Sequence, residues 1–287
     1  MKYFMFIMAF LSYTPLLFSQ EKEYTSVEYP SDYTAEIDVA YTHVNNWTGY
    51  MDIFTNQNAT TPTPIVINIH GGGWKSGQKE SQTGLDTFFS NGYAVANVGY
   101  RLVDIAPAPA AIQDVRCALL YIYKNAKTLN IDTSKIVIMG GSAGGHLALM
   151  AGLLGGNNSF DTNCPNTENI KVAAIIDKYG VTDLTPLAYG NSPRNWLGLN
   201  NIDADFVKAV SPINYISPKS PPIFIAHGDA DSVVPYKQSL ILYKRLKAFK
   251  VKTRLLTIKK GRHGNFTKKQ NILLSKSIWK FLHNLGL

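Results

Sequence analysis

The chain has 287 residues, 45% of them apolar, which suits one large or two small α/β domains with a substantial core. A net charge of +8 admits a nucleic-acid surface on charge alone. However, the lysines between Lys237 and Lys280 alternate with apolar residues, as on solvated helix faces, and no nucleic-acid module accompanies them.

The first residues read as a leader rather than as part of the fold. Met1-Lys2 supplies a positive start, Tyr3 to Phe18 is mostly apolar, and small Ser19 precedes the polar run from Gln20 to Glu23. That is a secretory pattern. Pro15 interrupts a stretch already short for a membrane span, which needs about 20 apolar residues. The expectation is therefore a signal peptide over 1–19, one domain over 20–287, a secreted or periplasmic protein, and no stable membrane insertion. No cysteine stands at the break to carry a lipid. Glycosylation sequons occur at Asn46, Asn58, Asn157 and Asn265. The last lies beside a loop assigned below to the site, so export without N-glycosylation is expected.

From Tyr33 to Phe54 the pattern is that of antiparallel strands, with turn signals at Asn45-Asn46 and Thr48-Gly49. A polar, proline-containing stretch follows, and then a βα alternation begins. Strands are predicted at Ile65–Ile69, Ala94–Val98, Ile136–Met139, Val172–Ile176, Ile223–Ala226 and Arg254–Ile258. Helices are predicted at Ala108–Leu129, Gly144–Leu154, Tyr236–Phe249 and Asn271–Leu285. Apolar strands alternating with helices imply a mostly parallel sheet covered on both faces. The crossover from Tyr179 to Pro222 is longer and irregular, and is a candidate lid or substrate wall.

In such sheets chemistry collects beyond the carboxyl ends of the strands. The first strand is followed by His70-Gly71-Gly72-Gly73-Trp74-Lys75-Ser76-Gly77. A nucleotide loop of the form Gly-x-x-x-x-Gly-Lys-Ser/Thr would need glycine at 69 and 74, where the chain has Ile69 and Trp74. The loop is left as an oxyanion site or a structural turn.

The third predicted strand of the alternation runs into Gly140-Gly141-Ser142-Ala143-Gly144, and a helix follows. This matches the nucleophile elbow, in which tight geometry demands small neighbours around an exposed serine. Ser142 stands where a dinucleotide fingerprint needs its second glycine, which excludes that reading. A serine hydroxyl needs a base, usually a histidine oriented by an acid. In a chain order of Ser, acid, His, only His263 and His283 come late enough. His263 follows the last strand between glycines, whereas His283 falls near the end of the terminal helix and reads as surface. The acid is expected after Ile223–Ala226, where Asp231 is preferred, Asp229 is assigned to shaping the turn, and Asp183 is a third candidate.

The other histidines read as structural: His146 opens the elbow helix, His227 lies under the acid loop, and His43 has no evident partner. No histidine pair has metal-binding spacing and no Cys-x-x-Cys occurs, so neither a metal nor a cofactor is expected. Cys117 and Cys164 are either a structural disulfide or one buried and one exposed thiol.

Together, His70 to Trp74, Gly140 to His146, His227-Gly228-Asp229-Ala230-Asp231-Ser232-Val233-Val234-Pro235 and Gly261-Arg262-His263-Gly264 resemble α/β-hydrolases. The resemblance runs from about Thr63 to Phe266. It is to the secreted bacterial carboxylesterases related to hormone-sensitive lipase, including acetyl-xylan and feruloyl esterase-like members. It implies the α/β-hydrolase fold, with Ser142, Asp231 and His263 as the triad and the amides of Gly72, Gly73 and Ala143 as the oxyanion hole. No large cap domain is evident. Trp74 becomes a packing or pocket residue, and Lys75 and Ser76 bystanders. The implied partner is a small-molecule or polysaccharide ester, with acetyl and feruloyl groups in view; no nucleic acid is implied and oligomeric state is not legible. Two rival readings stand beside this one: a prolyl-oligopeptidase-like peptidase and a non-enzymatic binding protein on the same fold. The His-Gly-Gly-Gly-Trp loop favours the esterase over the peptidase.

Overall fold

Residues 27–164, 170–187, 191–198 and 203–287 are described by a computed structural model. The expected leader at 1–19 lies outside them. Two N-terminal strands, β1 (Tyr33–Val44) and β2 (Trp47–Asn56), form an antiparallel hairpin turned at Asn45-Asn46, where Asn45 takes the positive φ (52°) that such a turn requires. Thr48-Gly49 is not a turn. Gly49 lies inside β2 opposite Thr42, and its missing side chain leaves room for the Tyr41 ring.

The predicted strands follow as β3 (Thr63–Ile69), β4 (Ala94–Val98), β5 (Ile131–Gly141), β6 (Ala174–Lys178), β7 (Ile223–Gly228) and β8 (Thr253–Ile258). They join the hairpin in one sheet of order β1-β2-β4-β3-β5-β6-β7-β8, parallel from β4 through β8. These strands are apolar on both sides because both faces are covered. Ile65, Ile67, Ile136 and Ile138 face one core with helices α2 (Ala110–Asn125) and α3 (Ala143–Leu154), and with Leu242 and Leu246 of α6 (Lys237–Ala248). Val66, Val137 and Met139 face the other, with the short α1 (Asp86–Phe89) and with α7 (Lys268–His283).

Two helix starts differ from expectation by two or more residues, for local reasons. Proline disfavours helical backbone in the residue before it, so Ala108 stays outside and α2 begins at Ala110, just after Pro109. α7 begins at Lys268 rather than Asn271, because Thr267 and Gln270 form a capping box.

The β6–β7 crossover carries α4 (Asn191–Leu197), α5 (Ala204–Ala209) and two 3-10 turns, at Thr185–Leu187 and Pro212–Tyr215. Cys117 on α2 and Cys164, 47 positions apart in sequence, form a disulfide with Cα atoms 5.5 Å apart. Closing a loop of that size stabilises by about 4 kcal/mol on a chain-entropy view. Beside it, Arg116 holds Asp161 through two 2.7 Å bonds, fastening the same segment to α2.

Candidate active site

One residue separates β5 from α3. Ser142 sits there at φ 58° and ψ −122°, a conformation L-residues avoid and that the surroundings must impose. The neighbours show how. A Cβ on Gly140 would strike the Gly144 carbonyl, one on Gly144 would strike the carbonyls of Ile69 and His70, and one on Gly145 would come within 2.6 Å of Asp177 Oδ1. The Ser142 N–H donates to Lys178 O at 2.9 Å, and the His146 N–H donates to Ser142 O at 3.0 Å. The elbow is thus wedged between the ends of β3 and β6.

Asp231 and His263 arrive on the loops after β7 and β8. Those loops approach closely because a side chain at Gly228 would collide with the Gly261 carbonyl. His263 Nε2 lies 2.9 Å from Ser142 Oγ and Nδ1 lies 2.7 Å from Asp231 Oδ2. A nitrogen facing a carboxylate carries the proton, so Nδ1–H donates to Asp231 and Nε2 is left to accept from the serine. Tyr179, itself at φ 45°, sets its ring edge-on to His263 with centroids 4.9 Å apart.

The Asp231 side chain is fully buried, while that of His263 is 20% exposed. Burial alone would raise the Asp231 pKa. Hydrogen bonds from His227, His263 and the N–H groups of Val233 and Val234 outweigh it and hold the carboxyl well below the usual range. The acid is therefore charged throughout the neutral range.

His227 does more than lie beneath the loop. Its Nε2 is 3.1 Å from both Asp231 Oδ2 and Val234 O, two acceptors, so it too carries a proton. In the neutral ring Nδ1 then accepts from the Ser239 hydroxyl at 2.7 Å.

The glycine loop after β3 closes the opposite side. Gly72 (φ 113°) and Gly73 (φ 61°) adopt backbone suited to glycine, and a Cβ on Gly71 would sit 3.5 Å from Ser142 Cβ. His70 is buried and stacked on Tyr100 at 4.2 Å, with its Nδ1–H donating to Gly71 O at 2.7 Å. Burial pushes its pKa down to about 4, so the ring is neutral. Ser76 is no bystander: its N–H and hydroxyl both donate to Gly72 O, at 3.2 and 3.1 Å, and close the turn. Trp74 is 2% exposed, stacked on Trp196 of α4 at 4.6 Å and edge-on to His146 at 5.2 Å. It touches the cleft but belongs mainly to the core.

Ser142, Ala143, His263, Gly72, Gly73 and Trp74 all line one cleft of about 760 Å³. The lining also includes the polar side chains of Lys75, Ser81, Gln82, Lys178 and Ser192. The remaining candidates lie elsewhere. Asp183 receives the Thr185 N–H at 2.9 Å. Asp229 fastens the turn after β8 by accepting the Lys260 N–H at 2.5 Å. His283 is exposed. His146 is buried with Nε2 2.8 Å from Val210 O, and burial lowers its pKa to about 4. His43, expected to lack a partner, bonds Thr48 across the hairpin at 3.0 Å. Sequence reading missed Lys178 at the site, two positions past a predicted strand, whereas Tyr179 opens the crossover named as a candidate substrate wall and does line the cleft. Among the described residues no cluster of His, Cys, Asp and Glu could hold a metal, and no helix is long and apolar enough to cross a membrane.

Residues 51–246 match the family model BD-FAE. The esterase LipC of Mycobacterium tuberculosis is 26% identical over 69% of this chain and 52% of its own. The chain spans about half the length of the curated relatives it matches. Among solved structures, a truncated carbohydrate esterase from gut microbiota is 27% identical with a TM-score of 0.76, covering 92% of this chain and 99% of its own. An acetyl ester-xyloside bifunctional hydrolase from Caldicellulosiruptor lactoaceticus is 27% identical with a TM-score of 0.69, over 82% and 89%.

Proposed function

Because this chain belongs to the BD-FAE family, among the α/β-hydrolase carboxylesterases related to hormone-sensitive lipase, we propose that it hydrolyses carboxylic esters through an acyl-enzyme on Ser142. The observation that carries this reading is the unbroken hydrogen-bonded line Ser142–His263–Asp231 opening on a cleft. His263 Nε2 takes the hydroxyl proton as Ser142 Oγ attacks the ester carbonyl, and Asp231 holds the imidazolium that forms. The tetrahedral oxyanion is received by the amides of Gly72, Gly73 and Ala143. Ala143 opens α3, whose first amides have no intrahelical acceptor and whose dipole favours negative charge. His263 then returns the proton to the departing alcohol. Water, deprotonated by the same nitrogen, attacks the acyl carbon and releases the acid and free Ser142.

The names of the carbohydrate esterase and acetyl ester-xyloside hydrolase neighbours support short acyl esters of polysaccharide as substrates, and feruloyl esters remain within the same reading. Export by a leader at 1–19, leaving a catalytic domain from 20 to 287, is supported by the Cys117–Cys164 disulfide, which persists in oxidising compartments. The test is hydrolysis of 4-nitrophenyl acetate and acetylated xylan beside a dipeptidyl aryl amide. Ester turnover that Ser142→Ala abolishes while the protein stays folded supports the proposal. Amide cleavage without ester turnover would overturn it in favour of a peptidase.

A further inference from the structure

The residues lining the cleft include two lysines, Lys75 and Lys178, and no aspartate or glutamate. Lys178 is the last residue of β6, and its carbonyl accepts the Ser142 N–H at 2.9 Å, so its side chain springs from backbone in contact with the elbow. With Thr83, Tyr179 and Gly264 it forms the wall between the cleft and a second cavity of about 900 Å³. The one carboxylate lining that second cavity, Asp86, makes no ion pair with Lys178, and the other charged groups there, Lys268 and Lys276, are positive. The Lys178 side chain has no hydrogen-bond or ion-pair partner among the described residues.

A cation withdrawn from water normally has a counter-charge, because desolvation otherwise works against its charged form. Lys178 is half-buried between the two cavities, and burial lowers its pKa to about 8, with no carboxylate among the described residues to restore it. A counter-charge missing among the described residues of the cleft is one a ligand can supply.

We propose that Lys178 is a specificity-determining residue that receives a carboxylate carried by the substrate, so that the site selects esters bearing a second, ionised carboxyl group. This rests on the ester-hydrolase reading. Two arrangements share that chemistry. The carboxylate belongs to the acyl part, as in the half-ester of a dicarboxylic acid, or to the alcohol part, as in an acetylated uronic acid.

Two matched pairs separate these sources: mono(4-nitrophenyl) succinate against its methyl ester, and O-acetyl galacturonic acid against its methyl ester. For the wild-type protein, KM for the free acid should fall at least about tenfold below that of its methyl ester in one pair, as for a hydrogen bond to a charged group, and that pair names the source. Lys178→Gln should bring the ratio to about one, and Lys178→Arg should keep most of it. Calorimetric binding of the same intact esters to Ser142→Ala reads the preference without turnover. Absence of turnover of every ester by the wild-type protein would overturn the hydrolase reading alone. Equal binding of acid and methyl ester in both pairs, or a preference that survives Lys178→Gln, would overturn the role of Lys178.

Discussion

His227 Nε2 lies 3.1 Å from Asp231 Oδ2, the same oxygen that His263 Nδ1 reaches at 2.7 Å. The Oδ1 atom is occupied by the N–H groups of Val233 and Val234. The carboxylate is therefore fixed in rotation by donors on both oxygens, and His227 is one of the two that set Oδ2. Loss of a hydrogen bond to a charged group costs about 1.5–3 kcal/mol. If that loss falls on the orientation of His263, His227→Leu should lower kcat roughly tenfold to a hundredfold and leave KM within about twofold. His227→Gln, which keeps a donor, should recover part of the loss. Equal kcat in the Leu and Gln variants would reduce His227 to packing.

Asp177 predicts a pH dependence of stability. It is fully buried behind the elbow, with Oδ1 accepting the Gly180 N–H at 2.9 Å and Oδ2 unpartnered. Burial raises its pKa to about 7, against the opposing influence of His227 and the Gly180 N–H. In the unfolded chain the group titrates near 4, so between about pH 4 and pH 7 the folded protein holds one more proton at this residue. Stability then falls with rising pH over that window, at up to about 1.4 kcal/mol per pH unit, and levels above it. Asp177→Asn should remove this slope and be more stable than wild type at pH 8. Denaturation midpoints measured at pH 5, 6, 7 and 8 check it; parallel curves for the two proteins would contradict it.

Trp74 ties the glycine loop to the crossover through its stack on Trp196. Trp74→Ala should destabilise by about 3–5 kcal/mol, as expected for a large buried aromatic. Trp74→Phe should lose much less. A cost below about 1 kcal/mol for the alanine variant, with a large rise in KM, would instead make Trp74 a substrate-pocket residue.

What could be read in advance follows the range of the interactions involved. The six strands of the alternation are marked by apolar runs, because a sheet covered on both faces buries its inner strands on both sides; edge strand β8 is only partly buried, and all six formed near the expected places. The elbow was legible because backbone crowding at Gly140 and Gly144 leaves no other residue type possible, and crowding of that kind is local. Gly49 misled for the same reason in reverse: its smallness serves the Tyr41 ring rather than a turn. The start of α7 was written in Thr267 and Gln270 and went unread. The pairing of Cys117 with Cys164, the Trp74–Trp196 stack and the bond from His227 to Asp231 join elements through the fold, and no local pattern announces them. Lys178 was hidden by its surroundings: a lysine at a strand end reads as solvated until the cavities on either side are known.

The central claim is that Ser142 becomes acylated, and direct observation of that bond tests it best. Wild-type protein mixed briefly with a slowly turned-over aryl ester, quenched in acid and digested, should yield the peptide containing Ser142 heavier by the acyl group. Ser142→Ala should yield no acylated peptide and turn over no ester. Sustained ester hydrolysis with the acyl mass on another residue, or sustained hydrolysis by Ser142→Ala, would contradict the account.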